Sequence, residues 1–154
     1  MTELRLQEAL KEEIKSVIDQ LCLFGENEMK FYSQDLPLET TFEDEEDKCF
    51  PCCIIKIKNG EINSLHTPQT VTAEIIICIK DISQDMSGYR DLMIIIDRIR
   101  DSLMSCAGLD GKFRIDYPIK WSINDEVASP YFIGSVITKW QTESNSFTAV
   151  KKYL

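Results

Sequence analysis

The chain has 154 residues, a formal net charge of -9 and 44% hydrophobic residues. That apolar share sustains a substantial core without disulfide staples and excludes a wholly disordered chain. The acidic excess argues against direct nucleic-acid binding, which rests largely on Lys and Arg neutralising the phosphate backbone.

No proline-rich or serine-rich linker divides the sequence, so a single domain over residues 1–141 is expected, followed by a tail or arm over 142–154. The longest apolar runs, Ile75 to Ile79 and Leu92 to Ile96, are five residues each and too short to cross a bilayer. Glu3, Glu8, Glu12 and Glu13 are the wrong chemistry for a secretory or transit segment, so a cytoplasmic protein is expected.

From Thr2 to about Phe24, Leu6, Leu10, Ile14, Val17, Ile18 and Leu21 recur at the three-and-four spacing of a helix with one buried stripe; Thr2 is the candidate cap and Gly25 the candidate stop. Met29 to Ser33 is a candidate short strand. After Pro37, the five consecutive acids Glu43, Asp44, Glu45, Glu46 and Asp47 repel one another and favour a solvated loop, with a docking patch as the sharper alternative.

The stretch "KCFPCCIIKIKNGEI", Lys48 to Ile62, puts Cys49, Cys52 and Cys53 ahead of an apolar run. A zinc site would have to combine these three with His66, because no second CxxC exists and no other histidine is present. Adjacent strand residues face opposite ways, so Cys52 and Cys53 could share a ligand only if the chain bent there. A redox CxxC belongs at a helix N-terminus, whereas this one precedes a strand and follows acids. The plainer expectation is that Cys53 joins Ile55 and Ile57 on a buried strand face, with Cys22, Cys78 and Cys106 in similar apolar positions.

Strands are expected over Cys52 to Lys58 and Thr70 to Lys80, with Asn59-Gly60 as a turn signal. In the second, Val71, Ala73, Ile75, Ile77 and Ile79 share one face, and Ile76 and Cys78 make the other partly apolar, which predicts a central strand covered on both sides. Tyr89, Leu92, Ile96, Ile99, Leu103 and Cys106 then give the strongest helical period in the chain. Met93, Ile94 and Ile95 widen the apolar surface beyond what one contact requires, which implies a second contact, such as another subunit.

Phe113 to Trp121 alternates strictly, with Arg114, Asp116, Pro118 and Lys120 on the wet face, and Pro118 predicts an edge strand or a bulge. Tyr131 to Gln141 is the last strand, with Gly134 a candidate bulge. The expected fold is two-layer α+β, an antiparallel or mixed sheet of four or more strands packed with two main helices in the order α-β-β-α-β-β. No P-loop, GxGxxG, HExxH or nucleophile elbow is present, no catalytic residue can be named, and no cofactor is expected.

The segments "GYRDLMIIIDRIRDSL", "YPIKW" and "PYFIGSVITKW", in this order and spacing, resemble the tail-terminator or tail-completion proteins of long-tailed bacteriophages and prophages of Gram-positive bacteria, over Gly88 to Trp140. The resemblance implies a homo-oligomeric ring, commonly a hexamer, on the end of the tail tube. There it would stop tube polymerisation and offer a surface to the head-tail connector, assembling in the host cytoplasm and residing in the virion tail. Its expected partners are other copies of itself, the tail tube protein and the connector. A closed ring needs two different complementary surfaces per subunit. The candidates are Tyr89, Met93, Ile94 and Arg98 on the second helix and Arg114, Asp116, Pro118 and Lys120 on the strand after it. Glu43 to Asp47 and the tail from Phe147 to Leu154 are candidates for docking. Another phage neck or minor tail component, a cellular adaptor of similar fold, or a cysteine-dependent zinc or thiol protein stay open as alternatives.

Overall fold

The computed structural model describes residues 2–22, 28–35, 51–81, 87–106, 108–124 and 130–142. The elements are α1 (Thr2–Leu21), β1 (Lys30–Ser33), β2 (Cys52–Glu61), β3 (Thr70–Lys80), α2 (Ser87–Ser105), β4 (Arg114–Ile123) and β5 (Tyr131–Gln141). They form an α+β fold with a five-stranded mixed sheet in the order β1-β2-β3-β5-β4.

The strand with the most apolar sequence lies at the centre of that sheet. β3 pairs antiparallel with β2 on one side and β5 on the other, so Ile75 lies opposite both Ile55 and Val136. Its Val71, Ala73, Ile75, Ile77 and Ile79 are buried beneath both helices. α1 contributes Leu6, Leu10, Ile14 and Ile18 to this core, and α2 contributes Leu92, Ile95, Ile96, Ile99 and Leu103. Each such side chain, fully buried, is worth roughly 1.5 to 3 kcal/mol. α1 lies over β1 and β2, and α2 over β3, β5 and β4. Inside the core Trp140 Nε1 donates to Thr138 Oγ1 at 2.8 Å, and that hydroxyl donates to the Ala73 carbonyl at 3.2 Å, so no polar atom of the pair is stranded.

Several expectations are corrected. The short strand at Met29 to Ser33 exists as β1 and adds a fifth strand, parallel to β2. Gln34 prolongs its pairing with a side chain: the amide oxygen accepts from Ile57 N–H at 2.7 Å and the amide nitrogen donates to Ile57 O at 3.3 Å. Buried Gln7 of α1 locks this corner by donating to Gln34 Oε1 at 2.6 Å and Ile55 O at 2.7 Å.

Asn59-Gly60 is not a turn. β3 is long enough to pair with β2 as far as Glu61, and a register shift between Ile57 and Asn59 absorbs the irregularity. α1 ends at Leu21, with exposed Cys22 following in the left-handed region (φ 53), so Cys22 closes the helix and does not fill an apolar position; Gly25 lies outside the described residues. Among the described residues, both helices cover the same face of β3. The other face carries a smaller cluster of Cys52, Ile54 and Cys78, edged by Tyr32, Ile76 and Ile133.

On α2 the buried stripe is turned toward α1: Ile95 is fully buried and Tyr89 is 42% exposed. The cause is α1 lying alongside, where Ser102 donates to Glu13 at 2.6 Å across the helix pair. Gly134 forms no bulge. It sits in regular register between Ile77 and Ile123, and a Cβ there would come within 2.9 Å of Ile96 Cδ1 and 3.3 Å of Leu92 Cδ1 and Ile123 Cδ1. Glycine is present so that α2 can approach the sheet.

Gly134→Ala is therefore expected to cost about 1 to 2 kcal/mol of unfolding free energy in a denaturant titration, as overpacking does. Ile96→Val removes the opposing methyl, so the double variant should be more stable than the sum of the two single changes implies, by about 0.5 kcal/mol or more.

Candidate functional site

β4 is an edge strand. It pairs with β5 alone among the described strands, and its ladder is broken between Asp116 and Lys120, where four steps along β4 span two along β5. Pro118, which cannot donate to a ladder, sits in this break after a cis Tyr117-Pro118 bond. Asp116 Oδ1 accepts from Tyr117 N–H at 3.2 Å, and its other oxygen accepts from Gln141 Nε2 at 3.5 Å. Beyond the break, Ile119 and Ile123 return to the core side, and Trp121 reaches the same side at the margin.

There α2 meets it. The Arg100 guanidinium lies over the Trp121 ring at 5.3 Å and is held in place by Asp97, one turn earlier, at 2.8 Å. Arg100 Nε is enclosed without a hydrogen-bond partner, so the guanidinium plane is committed to the ring more than to solvent. Helical period places Met93, Asp97, Arg100 and Met104 on one stripe, and the Arg100–Trp121 contact fixes that stripe as the one facing β4.

α2 and β4 carry most of the exposed large apolar side chains. Of the eight large ones on the described surface, Tyr89, Ile94 and Met104 lie on α2, and Tyr117 and Trp121 on β4. The other three are Leu4 on α1 and Ile62 and Leu65 in the loop between β2 and β3. Two elements distant in sequence thus supply five of the eight; Tyr89 and Met104 lie on or next to the stripe of α2 that faces β4, whereas Ile94 lies about 100° round the helix from Met93, on the outward side.

The residues singled out from sequence are divided by the structure. Tyr89 and Ile94 are exposed and Met93 half-buried on the outer side of α2. Arg98 instead lines the cleft between α2 and α1, with Glu13, Ser16 and Gln20. Asp116 and Lys120 are opposite Lys139 and Ile137 on the helix-free face, Arg114 shares their side, and Pro118 lies in the break. Arg100, Met104, Tyr117 and Trp121 complete the margin and are absent from that set. The spacing of 93, 97, 100 and 104 carried a signal for the helix half; nothing local in the sequence joins Arg100 to Trp121.

Burial raises the Asp91 carboxyl above the usual range, and neighbouring Asp81 adds to the effect while Arg90 opposes it. This lies in the first turns of α2, beside Tyr89.

The proposed metal ligands do not converge. Cys53 joins Ile55 and Ile57 in the main core, while Cys52 faces the other way with Ile54 and Cys78. His66 is exposed in the loop after the far end of β2, about 30 Å of strand from Cys52. Among the described residues, no three His, Cys, Asp or Glu side chains are grouped to hold a metal ion. Burial, reinforced by nearby Cys78, pushes the Cys53 thiol far up, which suits packing and not reactivity. Cys49, the acidic run Glu43 to Asp47 and the tail from Phe147 to Leu154 lie outside the described residues. Thr142, just before the tail, is buried and anchored to the Gln69 carbonyl through its N–H at 2.9 Å and its hydroxyl at 3.1 Å. No helix among the described residues is long and apolar enough to cross a membrane.

No protein-family model matches the chain, and a search of curated proteins finds no match.

Arg100→Ala should leave the fold intact, cost about 1 kcal/mol through the lost cation–π contact and stem packing, and uncover Trp121. Acrylamide quenching of indole fluorescence in a Trp140→Phe background reads the second effect as increased quenching.

Proposed function

We propose that this chain is an assembly subunit of a long-tailed phage particle, of the tail-terminator kind. It forms a ring on the end of the tail tube, ends tube growth, and presents a joining surface to the head-tail connector. It works by fit between surfaces and not by catalysis, assembling in the host cytoplasm and remaining in the virion tail.

The observation that carries this reading is the set of exposed apolar side chains on α2 and β4: Tyr89 and Met104 toward β4, Ile94 on the outward side of α2, and Tyr117 and Trp121 on the strand. A ring requires a second, different surface for it to meet. Support for one comes from α1, which overlies β1 and β2 and presents exposed Leu4 in a groove with Arg5, Glu8, Ala9, Glu12 and, from the connection between α2 and β4, Asp110. Head-to-tail contact between these two surfaces makes each subunit both donor and acceptor of the same joint. Closure at six copies, as the resemblance implies, leaves no unmatched apolar margin. Another neck or minor tail component would need similar surfaces but would not cap a tube.

Light-scattering mass of the purified protein at several concentrations should give a discrete multiple of the subunit. A single subunit at high concentration, together with failure to cap isolated tail tubes, overturns the reading. Ile94 is 39% exposed, so Ile94→Asp should abolish assembly while the circular dichroism and the unfolding midpoint stay close to those of the parent. Neutralising Glu43 to Asp47 should weaken partner docking at low salt more than at high salt; equal binding at both counts against a docking role for that run.

A further inference from the structure

The cysteine cluster that opens β2 resolves into an arrangement that neither the metal nor the packing expectation anticipated. Cys52 and Cys78 form the first pair of the antiparallel β2–β3 ladder, directly opposite each other and on the same face. Directly opposed residues in such a ladder have Cα atoms about 4.5 to 5.5 Å apart, within the roughly 4.4 to 6.8 Å that disulfides span. Both residues carry thiols in this structure. The Cys52 thiol hydrogen-bonds the Cys78 sulfur, which holds the Cys78 thiol below its ordinary range although burial works the other way. A neighbour that eases deprotonation of one member of an opposed pair favours thiol–disulfide exchange there.

We propose that Cys52 and Cys78 are a dithiol site for low-molecular-weight disulfides, which convert the pair to a cross-strand disulfide joining β2 to β3. The Cys78 thiolate attacks one sulfur of R–S–S–R, the S–S bond breaks, and the departing thiolate takes up a proton to leave as R–SH. Cys52, losing its proton, then attacks the Cys78 sulfur of the mixed disulfide, and the second R–S⁻ leaves and is protonated. Two cysteine thiols are oxidised and one external disulfide is reduced to two thiols.

Position favours this pair over the other cysteines. It is the last register pair of the β2–β3 ladder; both thiols are buried, packed with Ile54, Tyr32 and Ile133, so local opening of the strand ends is what admits a small disulfide. Cys53 is as buried as Cys52, but it lies one residue away on the opposite face, within the main core and with no cysteine opposite it, and its thiol is pushed up. Cys22 and Cys106 follow the ends of α1 and α2, on other parts of the fold. The site stands independently of the ring reading, since it requires only the β2–β3 register.

The full-length protein is incubated with oxidised glutathione, and a parallel sample with dithiothreitol. Intact mass and peptide mapping without reduction are then compared. The expected result is a loss of about 2 Da, a linked peptide pair containing Cys52 and Cys78, and reversal on adding dithiothreitol. In Cys52→Ser, glutathione should instead remain attached to Cys78; Cys49→Ser should leave the 52–78 link unchanged. A bridge between Cys49 and Cys52, or glutathione confined to Cys22 and Cys106 with no 52–78 link, overturns the proposal.

Discussion

The need to bury β3 governs this fold. Its inner residues are all apolar, and an 11-residue strand of that kind is stable only with a neighbour on each edge and a layer across its face. β2 and β5 supply the edges, and α1 and α2 divide the face between them. The consequence is that α2 cannot turn its whole apolar circumference inward. With Leu92, Ile96, Ile99 and Leu103 set on the sheet and Ile95 set toward α1, Tyr89, Ile94 and Met104 are left outside. The apolar margin follows from the way the core is satisfied.

Period identified β3, where Val71, Ala73, Ile75, Ile77 and Ile79 alternate, and β5, where Phe132, Val136 and Trp140 fall on one face. It also found both helices, with the α2 stripe displaced by one side chain. That displacement was not readable, since the direction in which a helix rolls depends on the neighbour beside it, and α1 lies some seventy positions earlier in the chain. β1 was visible only as a short run because half of what holds it is the Gln34 side chain, which no propensity scale counts as a strand residue. Asn59-Gly60 misled for a related reason: a local turn preference worth a fraction of a kcal/mol yields to several ladder bonds with a long neighbour.

The candidate surface was half legible. Ile94 stands out because it lies off the buried stripe, and Pro118 marks an edge by its missing donor, so the participating elements could be named from sequence. The contact that unites them, Arg100 on Trp121, could not, because a charged residue on a helix flank normally reads as solvated. The cysteines show the same limit. Alternation on β2 separates Cys52 from Cys53 without any structure, yet only the β2–β3 register brings Cys78 opposite Cys52.

The two edges of the sheet are unequal, and this constrains how copies can meet. On the β1 side the outer ladder is four residues long, and Gln34 occupies the next bonding positions of β2 with its own amide. On the β4 side ten residues are available, but Pro118 and the surplus residues of the break split them into two short runs. Among the described residues, neither rim offers an uninterrupted template for an incoming strand. Copies of this chain are thereby steered away from merging into one endless sheet, and any closed assembly of them would have to be joined by side chains, its geometry set by the shape of the flanks more than by main-chain hydrogen bonding.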